Sequence, residues 1–178
     1  KDYPVWVKLD SREVGKTDGI SLEDAKFAAR TVEDAGADAI TVSAYHDTGN
    51  GKLHSESNIP HVENFNLPAA AEMKAEVSIP IIASGRIEVD TADRTIEKGD
   101  ADFIAMGRKL LADPHLPNKL LRGETDRVRP CVYCYTCVSA IYGGQQSRCA
   151  VNAEFSVEFE RKAATASKKN IVIIGGGP

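Results

Sequence analysis

Short apolar runs alternate with stretches of helical periodicity over residues 4–121, and this alternation limits most strongly what the chain can fold into. Strands are predicted at 5–9, 39–42, 79–83 and 103–106, and helices at 22–35, 68–75 and 90–98. Nearly continuous apolar strands separated by helices predict a parallel sheet covered by helices. Two architectures fit, a doubly wound sheet and a (β/α)8 barrel. A complete barrel needs about 250 residues, so these strand–helix units correspond to about half of one.

Capping residues mark the predicted ends of the helices. Ser21 is predicted to cap the first helix, with Asp24 three residues later in a capping-box position. Gly36 is predicted to end that helix, since glycine tolerates the left-handed backbone that follows many helices. Further along, helical pieces between Leu110 and Leu121 are predicted to be interrupted by prolines at 114 and 117.

The four cysteines of the chain have the spacing Cys131-x2-Cys134-x2-Cys137-x11-Cys149. Such closely spaced thiolates favour a [4Fe–4S] cluster, in which each iron takes one thiolate. Structural zinc more often uses two separated Cys-x2-Cys pairs, and disulfides need an oxidising compartment. Zinc and disulfides stay as the less favoured alternatives.

Two predicted strands run into similar glycine–arginine turns, Ser84-Gly85-Arg86 and Gly107-Arg108. In a barrel, both turns lie at the carboxyl ends of the strands, where active sites form. Glycine lets backbone N–H groups approach an anion, and arginine adds charged donors. We therefore predict a phosphate site here, the alternative being that Gly-Arg only turns the chain.

Two further residues are candidates for a role at the same face. Lys8 interrupts the first apolar strand, where a cation needs a partner or a functional reason. It either stabilises negative charge on a ligand or is a rim lysine whose ammonium reaches water. His46 lies in the long polar connection 43–66 and could polarise a carbonyl oxygen, with His54 as the next candidate.

The last residues of the chain predict the opening of another domain. Residues 161–169 read as a polar linker, and 171–174 as an apolar strand. Gly175 and Gly177 then fit the first two glycines of a G-x-G-x-x-G dinucleotide-binding turn. Because the chain lacks an initial Met and stops inside this turn, we expect it to be part of a longer protein that continues at both ends.

Composition excludes several classes of function. The net charge of −4 and a pI of about 5.6 argue against a general nucleic-acid-binding surface. No run approaches the roughly 18 apolar residues of a membrane-spanning helix. The N-terminus has no basic and apolar signal segment, so a cytoplasmic location is expected.

Taken together, these segments resemble the NADH:flavin oxidoreductase family of old yellow enzyme relatives. Residues 84–87 and 106–114 resemble its flavin-binding barrel. Residues 129–137 and 149–152 resemble the iron–sulfur segment of the long members, which include 2,4-dienoyl-CoA reductase, trimethylamine dehydrogenase and enoate reductase. The resemblance implies the second half of an FMN-binding (β/α)8 barrel at 1–122, a cluster segment at 123–160, a linker at 161–169 and the start of an FAD/NAD(P)-binding domain at 170–178.

The resemblance also implies a set of cofactors and a reaction. Electrons would pass from NAD(P)H through FAD and a [4Fe–4S] cluster to FMN, which would reduce an activated C=C bond of a small enone, enoate or enoyl-CoA. By position, Lys8 would face the flavin, where the family often has arginine. The FMN phosphate region would be held by Ser84, Gly85, Arg86, Gly107 and Arg108, and the cluster by Cys131, Cys134, Cys137 and Cys149.

Two other functions stay open from the sequence. One is an amine dehydrogenase of the trimethylamine type, which runs the flavin in the oxidative direction. The other is a zinc-stapled, phosphate-binding module without redox activity. In either enzyme reading, the 178-residue chain alone is predicted to be inactive, because half a barrel leaves two open sheet edges.

Overall fold

A computed structural model describes residues 2–46 and 62–160, together with residues 170, 172, 174 and 175. Its four strands pair in parallel in the order β1-β2-β3-β4, so each strand lies beside the next one in the chain. The strands are β1 Trp6–Val14, β2 Ala39–His46, β3 Ile81–Ser84 and β4 Phe103–Ala105. This consecutive parallel order confirms the predicted α/β fold and matches one half of a (β/α)8 barrel.

Helices connect the strands and follow the last one. They are α1 Leu22–Asp34, α2 Leu67–Lys74, α3 Val89–Lys98, α4 Gly107–Ala112, α5 Leu116–Leu121 and α6 Thr136–Tyr142, with 3₁₀ turns at Thr125–Arg127 and Glu158–Glu160. Among the described residues, no helix is long and apolar enough to cross a membrane.

The predicted capping box begins α1. The Ser21 hydroxyl accepts a hydrogen bond from the Asp24 backbone N–H, and the Asp24 carboxylate accepts one from the Ser21 backbone N–H. Beyond the C-cap, Gly36 has a φ of 86°, the left-handed conformation expected after a helix end. Local sequence therefore fixes both ends of this helix.

The core lies between the sheet and its helices. Ile40 and Val42 of β2 are fully buried, as are Ile81 and Ala83 of β3, and Ile40 pairs with Ile81 across the two strands. Small and unbranched side chains from α1 and α2 cover them, namely Ala25, Ala29, Ala70 and Met73. Alternate strand residues therefore face the helices, while the others face the opposite side of the sheet.

Strand ends differ from the sequence prediction. β1 continues through polar residues to Val14, with an irregularity in its pairing to β2 between Asp10 and Glu13. The Ser43 hydroxyl donates to the Asp10 carboxylate at 2.5 Å, so these polar groups are satisfied between the strands. β2 extends to His46, which pairs with Val14 of the longer β1, so the polar connection begins later than expected.

The segment after β4 also differs from the prediction. The first helix begins at Gly107 rather than near Leu110, and Pro114 separates α4 from α5. Pro117 does not interrupt a helix, because it lies in the first turn of α5, where a missing N–H has no intrahelical partner to lose.

The predicted strand near the chain end is not formed among the residues described there. Asn170, Val172 and Ile174 have no strand pairing, and Val172 and Ile174 are exposed. A strand exists only through ladder hydrogen bonds to a neighbour, and these residues make none. That residues 170–178 open a nucleotide-binding domain stays a prediction.

Candidate functional site

The carboxyl ends of β3 and β4 meet at one edge of the sheet. Ser84, the last residue of β3, pairs with Ala105, the last residue of β4, so the turns that follow them are neighbours. A cavity of ≈ 250 Å³ lies between these turns. This strand-end cavity is lined by Ser84, Gly85, Ala105, Met106, Gly107, Arg108, Lys109 and Tyr133. A larger cavity of ≈ 330 Å³ lies by α2 and α3 and contains no residue predicted for the site.

The two glycines of the strand-end cavity differ in what a side chain would meet. Gly85 has a φ of 128°, a backbone conformation that residues other than glycine rarely adopt. A Cβ added to Gly85 would lie 3.4 Å from the Asn66 amide nitrogen. That amide donates to the Ser84 carbonyl at 3.0 Å and so fixes the turn. A Cβ on Gly107 would meet no atom within 4 Å, so the space beside this backbone is open.

Arg108 lines the strand-end cavity and also carries an unused donor. Its Nη1 atom is buried and has no hydrogen-bond partner among the described residues. The guanidinium group packs over the rings of Tyr133 and Tyr135, at 5.1 and 4.7 Å from their centroids. Because a buried charged donor without an acceptor is costly, the arrangement favours an anionic acceptor in the cavity.

Arg86 lies beside the cavity rather than among its lining residues. Its guanidinium forms an ion pair with Glu63 at 2.9 Å and lies 4.1 Å from the centroid of the Tyr133 ring. The structure therefore brings both predicted arginines to one tyrosine, although only Arg108 contacts the cavity directly.

The hydroxyl group of Tyr133 contacts a pair of charged side chains, Glu88 and Lys109. The Tyr133 hydroxyl donates to Glu88 at 2.7 Å, and the Lys109 ammonium also pairs with Glu88. Burial alone would raise the pKa of Glu88, but the hydrogen bonds from Lys109 and Tyr133 hold it below its ordinary value. Glu88 is therefore a carboxylate at neutral pH, paired with one of the cationic groups around the ring.

All four cysteines line one pocket, here called the cysteine pocket. Its other lining residues are Arg108, Leu111, Val132, Tyr133, Tyr135, Ala150 and Val151. The four thiols are free rather than joined in disulfides. Within the described part of the chain, no group of three or more His, Cys, Asp or Glu side chains is arranged to hold a metal ion. The thiols therefore share a pocket without forming a closed ligand set.

The cysteine thiols differ in their electrostatic surroundings. A hydrogen bond with the Thr136 hydroxyl at 3.2 Å lowers the pKa of Cys134, and backbone N–H groups of Thr136 and Ala150 lower it further. Burial raises the pKa of Cys137, and the nearby Cys131 and Cys149 add to that rise. The pocket thus combines N–H donors for sulfur with thiols close enough to influence one another.

Hydrogen bonds connect the end of α4 to residues 123–160, here called the cysteine segment, both before and after the four cysteines. Asp113, which is 2% exposed, accepts hydrogen bonds from the Arg129 backbone N–H at 2.8 Å and the Lys119 ammonium at 2.6 Å. The buried Asn152 amide donates to the Leu111 carbonyl at 2.8 Å. The helix that carries Arg108 is therefore fixed to both ends of the cysteine segment.

The remaining predicted site residues lie elsewhere or outside the description. Lys8 is exposed in the middle of β1 and pairs with Thr41, so it is neither buried nor at the strand end. The reason is that β1 continues for six residues beyond it, to Val14. His46 is the last residue of β2, at the same edge as the cavity, while its side chain lies outside the described part.

The structure does not test the predicted roles of His54, in the connection between β2 and α2, or of Gly175 and Gly177 near the chain end. His54 and Gly177 lie outside the described residues. Gly175 has a φ of 81°, as a glycine-rich turn requires, but it contacts no described site. Their roles stay predictions.

Sequence reasoning missed the residues that connect the two sites. It did not select Tyr133, Glu88, Lys109 or Asn66. A signal for Tyr133 was present, because it stands between two candidate ligand cysteines. Asn66 and Glu88 carry no local signal, since their roles arise from contacts with residues at least 18 positions away.

Comparison with known proteins identifies the family. The profile of the NADH:flavin oxidoreductase / NADH oxidase family matches residues 4–127. A bilirubin reductase of Mediterraneibacter gnavus is 35% identical over 181 residues, which cover 99% of this chain and 28% of the relative. An NADH oxidase of Thermoanaerobacter brockii is 34% identical over 184 residues, which cover 100% of this chain and 28% of the relative.

A solved structure agrees at the level of the fold. The complex of 2-naphthoyl-CoA reductase with 2-naphthoyl-CoA superposes with a TM-score of 0.79 and 24% sequence identity, covering 89% of this chain and 24% of that one. The chain thus spans about a quarter of the length of the proteins it matches. Because the family profile matches residues 4–127, which is most of the chain, the chain belongs to the NADH:flavin oxidoreductase / NADH oxidase family.

Proposed function

We propose that the chain forms the phosphate-binding and cluster-binding part of a flavin- and iron–sulfur-dependent oxidoreductase that takes electrons from NAD(P)H. One observation carries this proposal: the strand-end cavity and the cysteine pocket share a wall made of Arg108 and Tyr133. Two redox groups that exchange electrons must be neighbours, and a common wall meets that requirement.

The strand-end cavity fits the phosphate end of FMN. Gly107 leaves open space beside its backbone, and the buried Arg108 nitrogen lacks an acceptor. Ser84 and Gly85 complete the lining, with Arg86 beside it. These residues would bind and orient FMN, which supplies hydride chemistry when bound.

The cysteine pocket fits a [4Fe–4S] cluster better than a single zinc ion. A cluster takes one thiolate on each iron, so its ligands surround it rather than converge on one ion. The four free thiols line one pocket, which supports this assignment, and backbone N–H groups of Thr136 and Ala150 face Cys134. A bound cluster would supply one-electron transfer.

The reaction we favour is reduction of an activated C=C bond in a small enone, enoate or enoyl-CoA. The family and a relative named for NADH oxidation support flavin-dependent redox chemistry. His46 at the carboxyl end of β2 would polarise the substrate carbonyl by donating a hydrogen bond. FAD and NAD(P)H would bind in a region opened by Gly175 and Gly177.

Anaerobic spectroscopy of the full-length protein tests the cofactors. We expect a flavin absorbance doublet on a broad band that dithionite bleaches, with about four irons per chain. Cys134→Ser should remove the broad band and the iron while the flavin doublet stays. A colourless protein that contains zinc would refute the redox function and favour the zinc-stapled module.

Substrate assays decide the direction of the reaction. Oxidation of NAD(P)H that depends on an enone or enoate supports the proposed reductase. Amine-driven reduction of an artificial acceptor, without NAD(P)H, would instead support the amine dehydrogenase.

A further inference from the structure

Three cationic groups surround the ring of Tyr133. The Arg86 and Arg108 guanidinium carbons lie 4.1 and 5.1 Å from the ring centroid, and the Lys109 ammonium lies 5.3 Å from it. All three distances are within the range of cation–π attraction. Glu63 and Glu88 balance the charges of Arg86 and Lys109, so the ring is the contact that all three cationic side chains share.

The ring itself is held from both ends. Its hydroxyl donates to Glu88 at 2.7 Å, just before α3. Its backbone has a φ of 52°, a left-handed conformation that tyrosine rarely adopts and that persists only where the surroundings enforce it. The surroundings here are the cysteine segment, because Cys131 and Cys134 lie two residues before and one after it.

Tyr133 is therefore placed to connect two sites. Of the residues that the structure describes, Tyr133 and Arg108 are the two that line both the strand-end cavity and the cysteine pocket. An arginine side chain loses much rotamer freedom when it binds a ligand, and stacking on a fixed ring removes part of that freedom beforehand.

We propose that Tyr133 is a positioning residue, which holds the guanidinium group of Arg108 ready for a phosphate-bearing ligand in the strand-end cavity, while Arg86 packs on the same ring beside the cavity. The inference rests on the proposed function in taking the occupant of the cavity to carry a phosphate group. It adds that the cysteine segment helps to shape the phosphate site through this one side chain.

The test compares two flavins that differ only in the phosphate. The dissociation constants of FMN and riboflavin are measured by fluorescence quenching on flavin-free, full-length protein. For Tyr133→Leu we expect FMN to bind about tenfold more weakly, the size of one well-desolvated cation–π contact, while riboflavin binding is unchanged. Tyr133→Phe keeps the ring and should bind FMN nearly as wild type does.

Two features make these variants informative. Leucine tolerates the left-handed backbone no better than tyrosine, so Tyr133→Leu tests the ring rather than the strain. Tyr142→Leu is the matched control, since Tyr142 is 59% exposed on α6 and lines neither pocket. An equal loss of FMN and riboflavin affinity, or no loss for FMN, would overturn the inference.

Binding of inorganic phosphate, measured by calorimetry, separates this inference from the proposed function. Phosphate binding that Tyr133→Leu weakens and Tyr133→Phe preserves, in a protein that binds no flavin, would support the inference and refute the proposed function. A wild-type protein that binds neither FMN nor inorganic phosphate would overturn both.

Discussion

Gly107 and Gly99 lie in different backbone conformations, so replacing each by alanine should have different effects. Gly107 begins α4 without a left-handed backbone and faces open space, so Gly107→Ala should fold like wild type. The added methyl would occupy the strand-end cavity, and we expect FMN affinity to fall by about tenfold or more. Flavin titration and urea unfolding of the full-length protein measure both effects.

Gly99→Ala serves as the control for that substitution. Gly99 ends α3 with a φ of 74°, which costs alanine about 1 kcal/mol of stability. It should lower the unfolding midpoint and leave FMN affinity unchanged. Unaltered FMN binding by Gly107→Ala would show that the cavity does not receive the phosphate.

Asp113 makes the stability of the site depend on pH. Burial alone would raise the pKa of Asp113, but hydrogen bonds from the Arg129 N–H, the Lys119 ammonium and the His115 N–H lower it. A carboxylate with a lowered pKa stabilises the folded state above its unfolded pKa and loses that contribution as the pH falls through the folded value. Stability should therefore decline on acidification below about pH 4.

Asp113→Asn isolates this contribution. The amide has no negative charge to balance the Lys119 ammonium, so we expect a loss of about 1–3 kcal/mol at pH 7 and a shallower decline in acid. Urea unfolding at several pH values measures both. An identical acid profile in the variant and the wild type would assign the acid sensitivity to other carboxylates.

At the scale of elements, the capping box of α1 gives a direct prediction. Ser21→Ala removes the hydroxyl that accepts from the Asp24 N–H and should lower the free energy of unfolding by about 1 kcal/mol. Ser139→Ala on the exposed side of α6 is a matched control that should change stability little. Equal effects of the two substitutions would contradict a capping role for Ser21.

Elements were predictable where their signals are local. The ends of α1 follow from Ser21, Asp24 and Gly36, which act within one helical turn of each end. The extension of β1 was not predictable, because Asp10 is polar and is satisfied by Ser43, 33 residues away. The early start of α4 was hidden because Gly107 reads as a turn residue yet adopts helical geometry.

In the candidate site too, some features follow from local sequence and others depend on contacts between distant residues. Adjacent turns at Ser84–Arg86 and Gly107–Arg108 follow from the rule that parallel strands end at one edge, and four bunched cysteines predict a common pocket. The shared wall of Arg108 and Tyr133 could not be predicted, because the two residues are distant in the sequence and meet only in the fold. No local pattern encodes that meeting.

At the scale of the whole molecule, the described sheet has two edge strands, β1 and β4. Both carry large exposed aromatic side chains, Trp6 at 60% and Phe103 at 59% exposure. Open edges with apolar residues pair with other chains, whereas a closed barrel has no edges. We therefore expect the 178-residue polypeptide, expressed alone, to self-associate and to bind no stoichiometric FMN.

Light scattering and flavin titration of that polypeptide test the expectation. The full-length protein is the control and should be monodisperse with one FMN per chain. A monomeric 178-residue polypeptide that binds FMN stoichiometrically would show that the four strands suffice for the site.

The strand order described above also sets the order of assembly. Since β2, β3 and β4 each pair with the strand made just before them, every strand meets its partner at an edge that already exists. During synthesis, no strand has to wait for a partner that the ribosome has yet to make. The cysteine segment follows β4 in the chain, so the strand-end turns are already in place when the residues that close their shared wall emerge.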